Sequence, residues 1–334
     1  MKRFLGLLLL AGFGLSMVFT SCQKDDKGSL IVIEPFVNTS DHKTTHIESN
    51  LPRIVMRQGH LLVFLSITDQ NQIPIVGLNK FNFKIEKVQN SIVTPITEVE
   101  VFGGGTGTAG NIGAALSLDY SGSMYWDSTD VPNMETAVKY FINNKGASDY
   151  CELIKFSSDV YVVTPFTTDD SLLLLGIDDS SYSLKQATAF YESCLVGLAD
   201  ADSLATIYAT LLPAVIGFTD GVNNLAPLDP DSVVAAALSL QIPVYTIGYG
   251  NYAASPPDTA TLKYIADTTG GRFYWTPNTA DLQQLYQYVN GQLTNIYVLS
   301  FPFGTKENAL IRVTTTYECA NGEFTTVSQK MIYY

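Results

Sequence analysis

The stretch LSLDYSGSM, residues 116–124, passes from an apolar run into one acid and two hydroxyls at alternate positions, Asp119, Ser121 and Ser123. The residues leading into it, GAALSLD, read as a buried strand: apolar, short and bounded by turn residues. Working outward, further strands fall at YCELIKFSS, LPAVIGFTD, IPVYTIGYG and RFYW, with helical patterns around 133–144, 189–210, 231–240, 259–268 and 279–293. Residues 160–163 read as a short edge strand running the other way. Strands alternating with helices predict an α/β fold with a doubly wound, mostly parallel sheet.

The 334 residues suit one large domain or two ordinary ones, and 46% apolar content supplies a core. With 19 Lys and Arg against 32 Asp and Glu, the net charge is -13. A phosphate backbone would be repelled, which argues against nucleic acid as a partner. On either side of the α/β region the pattern is β: HLLVFLSITD, FNFKIEKV and ITEVEVF before it, IYVLSFPF, ALIRVTTTYE and FTTVSQKMIYY after it.

Several familiar signals fail in context. Gly105-Thr-Gly107-Thr-Ala-Gly110 spells a dinucleotide fingerprint, but a strand follows it where that motif needs a helix N-terminus, so it reads as a flexible linker. The chain has no G-x-x-x-x-G-K-[ST] loop and no G-x-S-x-G elbow. His42 and His46 are spaced like zinc ligands, yet HKTTH lacks the glutamate of a zinc protease and lies in a polar stretch; His60 stands alone.

D-x-S-x-S is expected by chance about 0.1 times in a chain of ordinary composition. The competing explanation is helix capping, a common use of Asp and Ser. Two other segments count against it. In GFTDGVNN, Asp220 again follows an apolar strand, and in QATAFYESCLVGL, Thr188 immediately precedes a long helix. In an open α/β sheet the loops beyond the carboxyl ends of the strands gather around one site.

D-x-S-x-S, then T-A-x-Y, then T-D-G after a strand resembles the von Willebrand factor A domain with its metal-ion-dependent adhesion site, over about residues 112–294. The resemblance implies that Ser121 and Ser123 bind a divalent cation directly, Thr188 directly or through water, and Asp119 and Asp220 largely through water. Magnesium is the first expectation, manganese or calcium the alternatives. The family usually has small residues before this Thr, whereas Lys185, Gln186 and Ala187 stand here. A hard dication takes oxygen ligands and keeps several waters. Neutral hydroxyls leave much of its charge uncompensated, so an incoming Asp or Glu carboxylate from a protein partner completes the shell. A hydrolytic metal site needs a positioned base or nucleophile, and the three loops contain no His or Cys, so we expect a binding protein rather than an enzyme. A cation-dependent adhesion module and a non-adhesive subunit of a cell-envelope complex both remain open.

The N-terminus, MKRFLGLLLLAGFGLSMVFTSC, has the layout of a secretory signal. Phe19 to Cys22 resembles a lipobox, which implies a signal peptide over 1–22 and lipidation of Cys22; a plain cleaved signal or an anchor helix is the other reading. The following QKDD resembles a tag for the outer face of an outer membrane. The expected protein is thus a surface-exposed outer membrane lipoprotein, held to the membrane through its lipid anchor only. Residues 23–53 read as a spacer. Residues 54–103 and 296–334 are expected to form two parts of one β-sandwich flanking the A domain, because neither has enough strands for two packed sheets; ITDQNQIPIVGLNKFNFKIEKV (67–88) is similar to the small sandwich that precedes such domains in bacterial secreted proteins. With Cys22 acylated, Cys151, Cys194 and Cys319 remain, enough for at most one disulfide.

Overall fold

The computed structural model describes residues 21–24, 30–57, 59–105, 111–181, 187–208, 211–221, 223–225, 227–250, 258–304 and 308–332. Residues 1–20 of the expected signal peptide, most of the 105–110 linker and Lys185 and Gln186 lie outside them. The chain divides into two compact units, Met1–Pro35 and Phe36–Tyr334. In the first, β1 (Ser21–Lys24) pairs antiparallel with β2 (Leu30–Ile33), Cys22 opposite Val32.

The second unit contains an α/β part and a β part. The α/β sheet consists of β9 (Ile112–Asp119), β10 (Tyr150–Phe156), β11 (Val160–Thr167), β12 (Leu212–Thr219), β13 (Val244–Tyr249) and β14 (Phe273–Thr276). Its order is β11-β10-β9-β12-β13-β14, every neighbour parallel except β11, which runs antiparallel to β10. β9 and β12 are buried along their whole length, as expected where helices cover both faces and both sets of side chains face apolar neighbours.

Three helices pack each face. On one side α1 (Asp130–Asn144), α2 (Asp170–Asp178) and α6 (Leu282–Thr294) share a core with Leu116, Leu118 and Phe218. On the other, α3 (Phe190–Ile207), α4 (Pro230–Leu240) and α5 (Thr259–Thr269) cover Ala115, Ile154 and Val215. The buried residues of α1, Met134, Ala137, Val138, Phe141 and Ile142, recur at three- and four-residue spacing and place one stripe on the sheet. Asp229 caps α4 through the Ser232 N–H with Pro230 at the first turn, and Asp258 caps α5 through the Thr261 N–H. This is the doubly wound, mostly parallel sheet anticipated from the strand and helix pattern. α2 was not anticipated: DSLLLLGID carries four leucines in a row, a run without helical period, and its start is set by Asp169 accepting the Ser171 N–H.

The β part has two sheets. One is ordered β4 (Ile47–Arg57), β5 (His60–Asp69), β15 (Tyr297–Pro302), β8 (Glu100–Gly103). The other is ordered β17 (Gly322–Ile332), β16 (Ala309–Cys319), β6 (Phe83–Gln89), β7 (Ile92–Ile96), with β3 (Val37–Asn38) beside β16. Strands from before and after the α/β part therefore share both sheets: β15 lies between β5 and β8, and β16 pairs β6. Leu61, Val63, Leu65, Leu299, Phe301, Ile311 and Val313 meet between them. Strand structure also enters the segment read as a spacer over 23–53. β4 begins at Ile47, and a register break between Asn50 and Arg53 accommodates Pro52, which conceals the period-two pattern in the sequence. Cys151, Cys194 and Cys319 are buried free thiols. Among the described residues no helix is long and apolar enough to cross a membrane.

Candidate metal centre

β9 and β12 are neighbours with Leu118 opposite Phe218, so their carboxyl ends bring Asp119 and Asp220 to the same edge of the sheet. This is also where the chain changes direction across the sheet, β10 to one side of β9 and β12 to the other, the place where open α/β sheets form ligand sites. Asp119 is fully buried and its two oxygens have separate partners: Oδ1 accepts the Ser121 N–H at 2.7 Å, and Oδ2 accepts the Thr219 hydroxyl at 2.6 Å. The first bond curls the chain after β9 into a short turn, Gly122–Tyr125. That turn brings Ser121 Oγ within 3.2 Å of Ser123 Oγ, and Ser123 Oγ donates to Asp220 Oδ1 at 2.8 Å.

Thr188 comes from the third loop. Its N–H donates to Asn224 Oδ1 at 2.8 Å, and the Asn224 N–H returns a bond to Thr188 O at 3.3 Å, so the loop after β12 holds the loop before α3. Asn223 Oδ1 accepts the Tyr191 N–H, and the Ala189 N–H donates to Ser157 O. A Cβ placed on Gly221 would lie 3.9 Å from Thr188 Oγ1 and 4.0 Å from Ser123 Oγ; the two hydroxyls border one small space. All five residues singled out in the sequence, Asp119, Ser121, Ser123, Thr188 and Asp220, are brought together. Helix capping does not explain the serines, since Ser121 makes no side-chain cap bond and α1 begins only at Asp130, with Thr129 in its cap position.

The electrostatics are those of a site short of positive charge. Burial holds the Asp119 carboxyl above its ordinary range, against the opposing hydrogen bonds from Ser121 and Thr219. Asp220 is pushed up to about 7, first by burial and then by the Asp119 charge, with Asp130 adding to it. Among the described residues no Lys or Arg pairs with either carboxylate. Asp130, buried at the start of α1 and bonded by the Tyr249 hydroxyl at 2.8 Å, is a third carboxyl in the region that no motif announced. Thr219, Asn223 and Asn224 were visible inside GFTDGVNN, but their roles as supports depend on contacts far apart in sequence. The donor set, three hydroxyls and two carboxylates, is all hard oxygen and fits a dication such as magnesium. Among the described residues no group of three or more His, Cys, Asp or Glu could hold a metal, so a cation at this point would rest on hydroxyls and water beside the two acids.

Residues 114–288, just over half of the chain, match the sequence profile of the von Willebrand factor type A domain. A UPF0353 protein of Nocardia farcinica is 26% identical over 211 residues, 53% of this chain, and the match spans 62% of that relative's length. Among solved structures, a von Willebrand factor type A protein from Catenulispora acidiphila is 13% identical over 90% of this chain and 75% of its own, with a TM-score of 0.49. Proximal thread matrix protein 1 from the mussel byssus, with a zinc-occupied adhesion-site motif, is 18% identical over 63% of this chain and 50% of its own, also with a TM-score of 0.49. By its sheet order, its helical layers and the extent of the profile match, the chain belongs to the von Willebrand factor type A family.

Proposed function

We propose that the protein is a cation-dependent binding module, in which Ser121, Ser123 and Thr188 hold a divalent cation, most simply Mg2+, and Asp119 and Asp220 hold it through water. The observation that carries this reading is the meeting of three hydroxyls and two buried carboxylates from three separate loops. The cation supplies a Lewis-acidic, incompletely neutralised positive charge, and a partner's exposed Asp or Glu is the ligand that such a charge selects. Asp119 orients Ser121 through its N–H and takes the Thr219 hydroxyl, while Asp220 orients Ser123. Asn224 sets the height of Thr188. We read this as binding rather than catalysis, because the hydroxyls and carboxylates of Asp119, Ser121, Ser123 and Asp220 are engaged with one another or with Thr219, and no His or Cys stands among the five residues.

The proposed setting is the outer face of an outer membrane, with Cys22 as the lipidated N-terminus of the mature protein. Cys22→Ala should release the protein into the soluble fraction. Unchanged membrane retention, with no fatty acid incorporated into the wild type, would contradict the anchor. For the binding function, immobilised full-length protein should capture its partner from a cell-surface extract in magnesium and release it in chelator. Equal capture in both would place the interaction surface elsewhere.

A further inference from the structure

On the α1 and α2 side of the metal loops lies a cleft of about 280 Å³, lined by Tyr120, Tyr125, Glu135, Lys155, Tyr161 and Asp179 with a few neighbours. One of its walls is Tyr120, the residue between Asp119 and Ser121 in the chain. The Tyr120 hydroxyl donates to Glu135 Oε1 on α1 at 3.0 Å. The Lys155 ammonium sits 4.8 Å from the centre of the Tyr120 ring. Lys155 is 5% exposed, and its Nζ donates to Ile177 O at 2.7 Å and Asp179 O at 2.8 Å, the carbonyls where α2 ends. Tyr125, at the end of the serine turn, is 45% exposed, and the adjoining Trp126 is 79% exposed.

The lining favours a positive guest. Three carboxylates, Glu135, Asp178 and Asp179, face one ammonium, and that ammonium already serves two carbonyls and the Tyr120 ring. Asp178 is shared with Lys139 at 2.6 Å and Asp179 Oδ1 accepts the Ser181 N–H at 2.9 Å, but Glu135 among the described residues accepts through one oxygen from Tyr120, and a carboxylate has lone pairs for several donors. Tyrosine faces and carboxylates together attract guanidinium or ammonium groups, and the chain as a whole carries a charge of -13. The volume falls just below the roughly 300–1,000 Å³ of small-molecule sites, so the guest is the size of one long side chain. We infer that this cleft is a second anchor for the partner: it takes an Arg or Lys side chain from the same segment whose carboxylate meets the cation. This rests on the metal-binding reading for the pairing of the two anchors, though not for the cleft itself. Tyr120 lines the cleft and stands between Asp119 and Ser121 in the chain, which places the two anchors in one neighbourhood for a single extended segment advancing about 3.3–3.6 Å per residue.

The test uses the full chain labelled with 15N-tyrosine and two probes, Nα-acetyl-arginine methylamide and its uncharged citrulline analogue. The arginine probe should shift the Tyr120 and Tyr125 resonances at millimolar concentration, in magnesium and in chelator alike. Glu135→Gln should weaken that response at least fivefold, and Tyr125→Ala, at an exposed position, should weaken it too. A peptide carrying one Asp and one Arg a few residues apart should bind at least tenfold more tightly in magnesium than in chelator. No response to the arginine probe, or an equal response to citrulline, would overturn the cleft assignment. If an acetylated aspartate probe shifted the same resonances in chelator, the cleft would be an anion site and the inference wrong. Arginine shifts retained beside a peptide indifferent to magnesium would overturn the pairing of anchors and the metal reading, leaving the cleft's preference for a cation standing.

Discussion

The two ends of the α/β sheet hold charge differently. At the carboxyl end, Asp119 and Asp220 are buried side by side with hydroxyls as partners. At the amino end, where the β-sandwich docks, several polar groups are matched across the contact, while Arg53 and Lys330 lie partly buried near it as like charges, Lys330 pushed down to about 8 by burial and by Arg53. Arg272 bonds Glu48 at 2.7 Å, Gln72 at 2.5 Å and Thr68 at 3.2 Å. Asn50 donates to Gly270 O at 2.5 Å, and the Ile54 N–H donates to Gln241 Oε1 at 3.1 Å. The fit is close: Gly270 ends α5 at φ 88°, and a Cβ there would come within 2.8 Å of the Pro52 Cα. One end is arranged for cohesion. The other retains like-charge repulsion and desolvated acids, an arrangement that costs stability and that a bound cation would offset.

The largest break in that comparison is to remove the cohesive end. Ending the chain after Tyr297 deletes most of β15, the strand between β5 and β8, together with β16 and β17. The hydrophobic core between the sheets then has one wall missing, and β4 to β8 should become sensitive to protease. A resistant N-terminal segment would mean that the two β regions stabilise themselves independently.

A second test uses pH. The ordinary Asp pKa is 3.8 and that of Asp220 in the fold is about 7, so between those values the unfolded chain has lost a proton that the folded chain keeps. Stability should therefore fall as pH rises through this window in chelator, and Asp119, also held above its ordinary range, adds a loss of the same sign. Magnesium should remove this slope. Glu152, buried against the Asp200 carboxylate on the α3 side and pushed up to about 9, adds a slope of the same sign that extends to higher pH and does not respond to magnesium. Glu152→Gln separates the two in denaturant titrations between about pH 4 and pH 9. A magnesium-insensitive slope that survives Glu152→Gln would contradict the charge imbalance at the carboxyl end.

Much of this was legible because it is local. D-x-S-x-S puts three donors within five residues, and T-D-G closes a strand, so Asp119, Ser121, Ser123 and Asp220 could be named before the loops were seen to meet. Thr188 needed the additional fact that it precedes α3. The rest was hidden for physical reasons. Asp130 reaches the site only because α1 starts beneath the loops, and Lys155 looks like an ordinary surface residue in YCELIKFSS although the end of α2 buries it. α2 itself lacked a period, and the bulge at Pro52 masked the first half of β4.

Smaller effects refine the contrast. Arg272→Ala should lower stability by about 2 kcal/mol, the scale of hydrogen bonds to a charged group, without altering magnesium affinity. A coupled loss of magnesium binding would show that the two ends are not independent. Lys263→Ala breaks an exposed helical pair with Asp267, both partners more than half exposed, and should change stability by no more than about 0.5 kcal/mol.

The most direct measurement is calorimetric titration of Mg2+ into the full chain and into Asp119→Asn, each first shown to be folded by circular dichroism. The substitution keeps an oxygen for the Ser121 N–H while removing the charge and its desolvation, so the variant should be at least as stable as the wild type. We expect saturable one-site binding to the wild type and affinity lower by about 10- to 100-fold in the variant, the usual scale for losing a group that acts on a metal through water or ligands. Equal affinity in the two proteins, or no saturable binding to the wild type, would contradict the assignment of this site to a divalent cation.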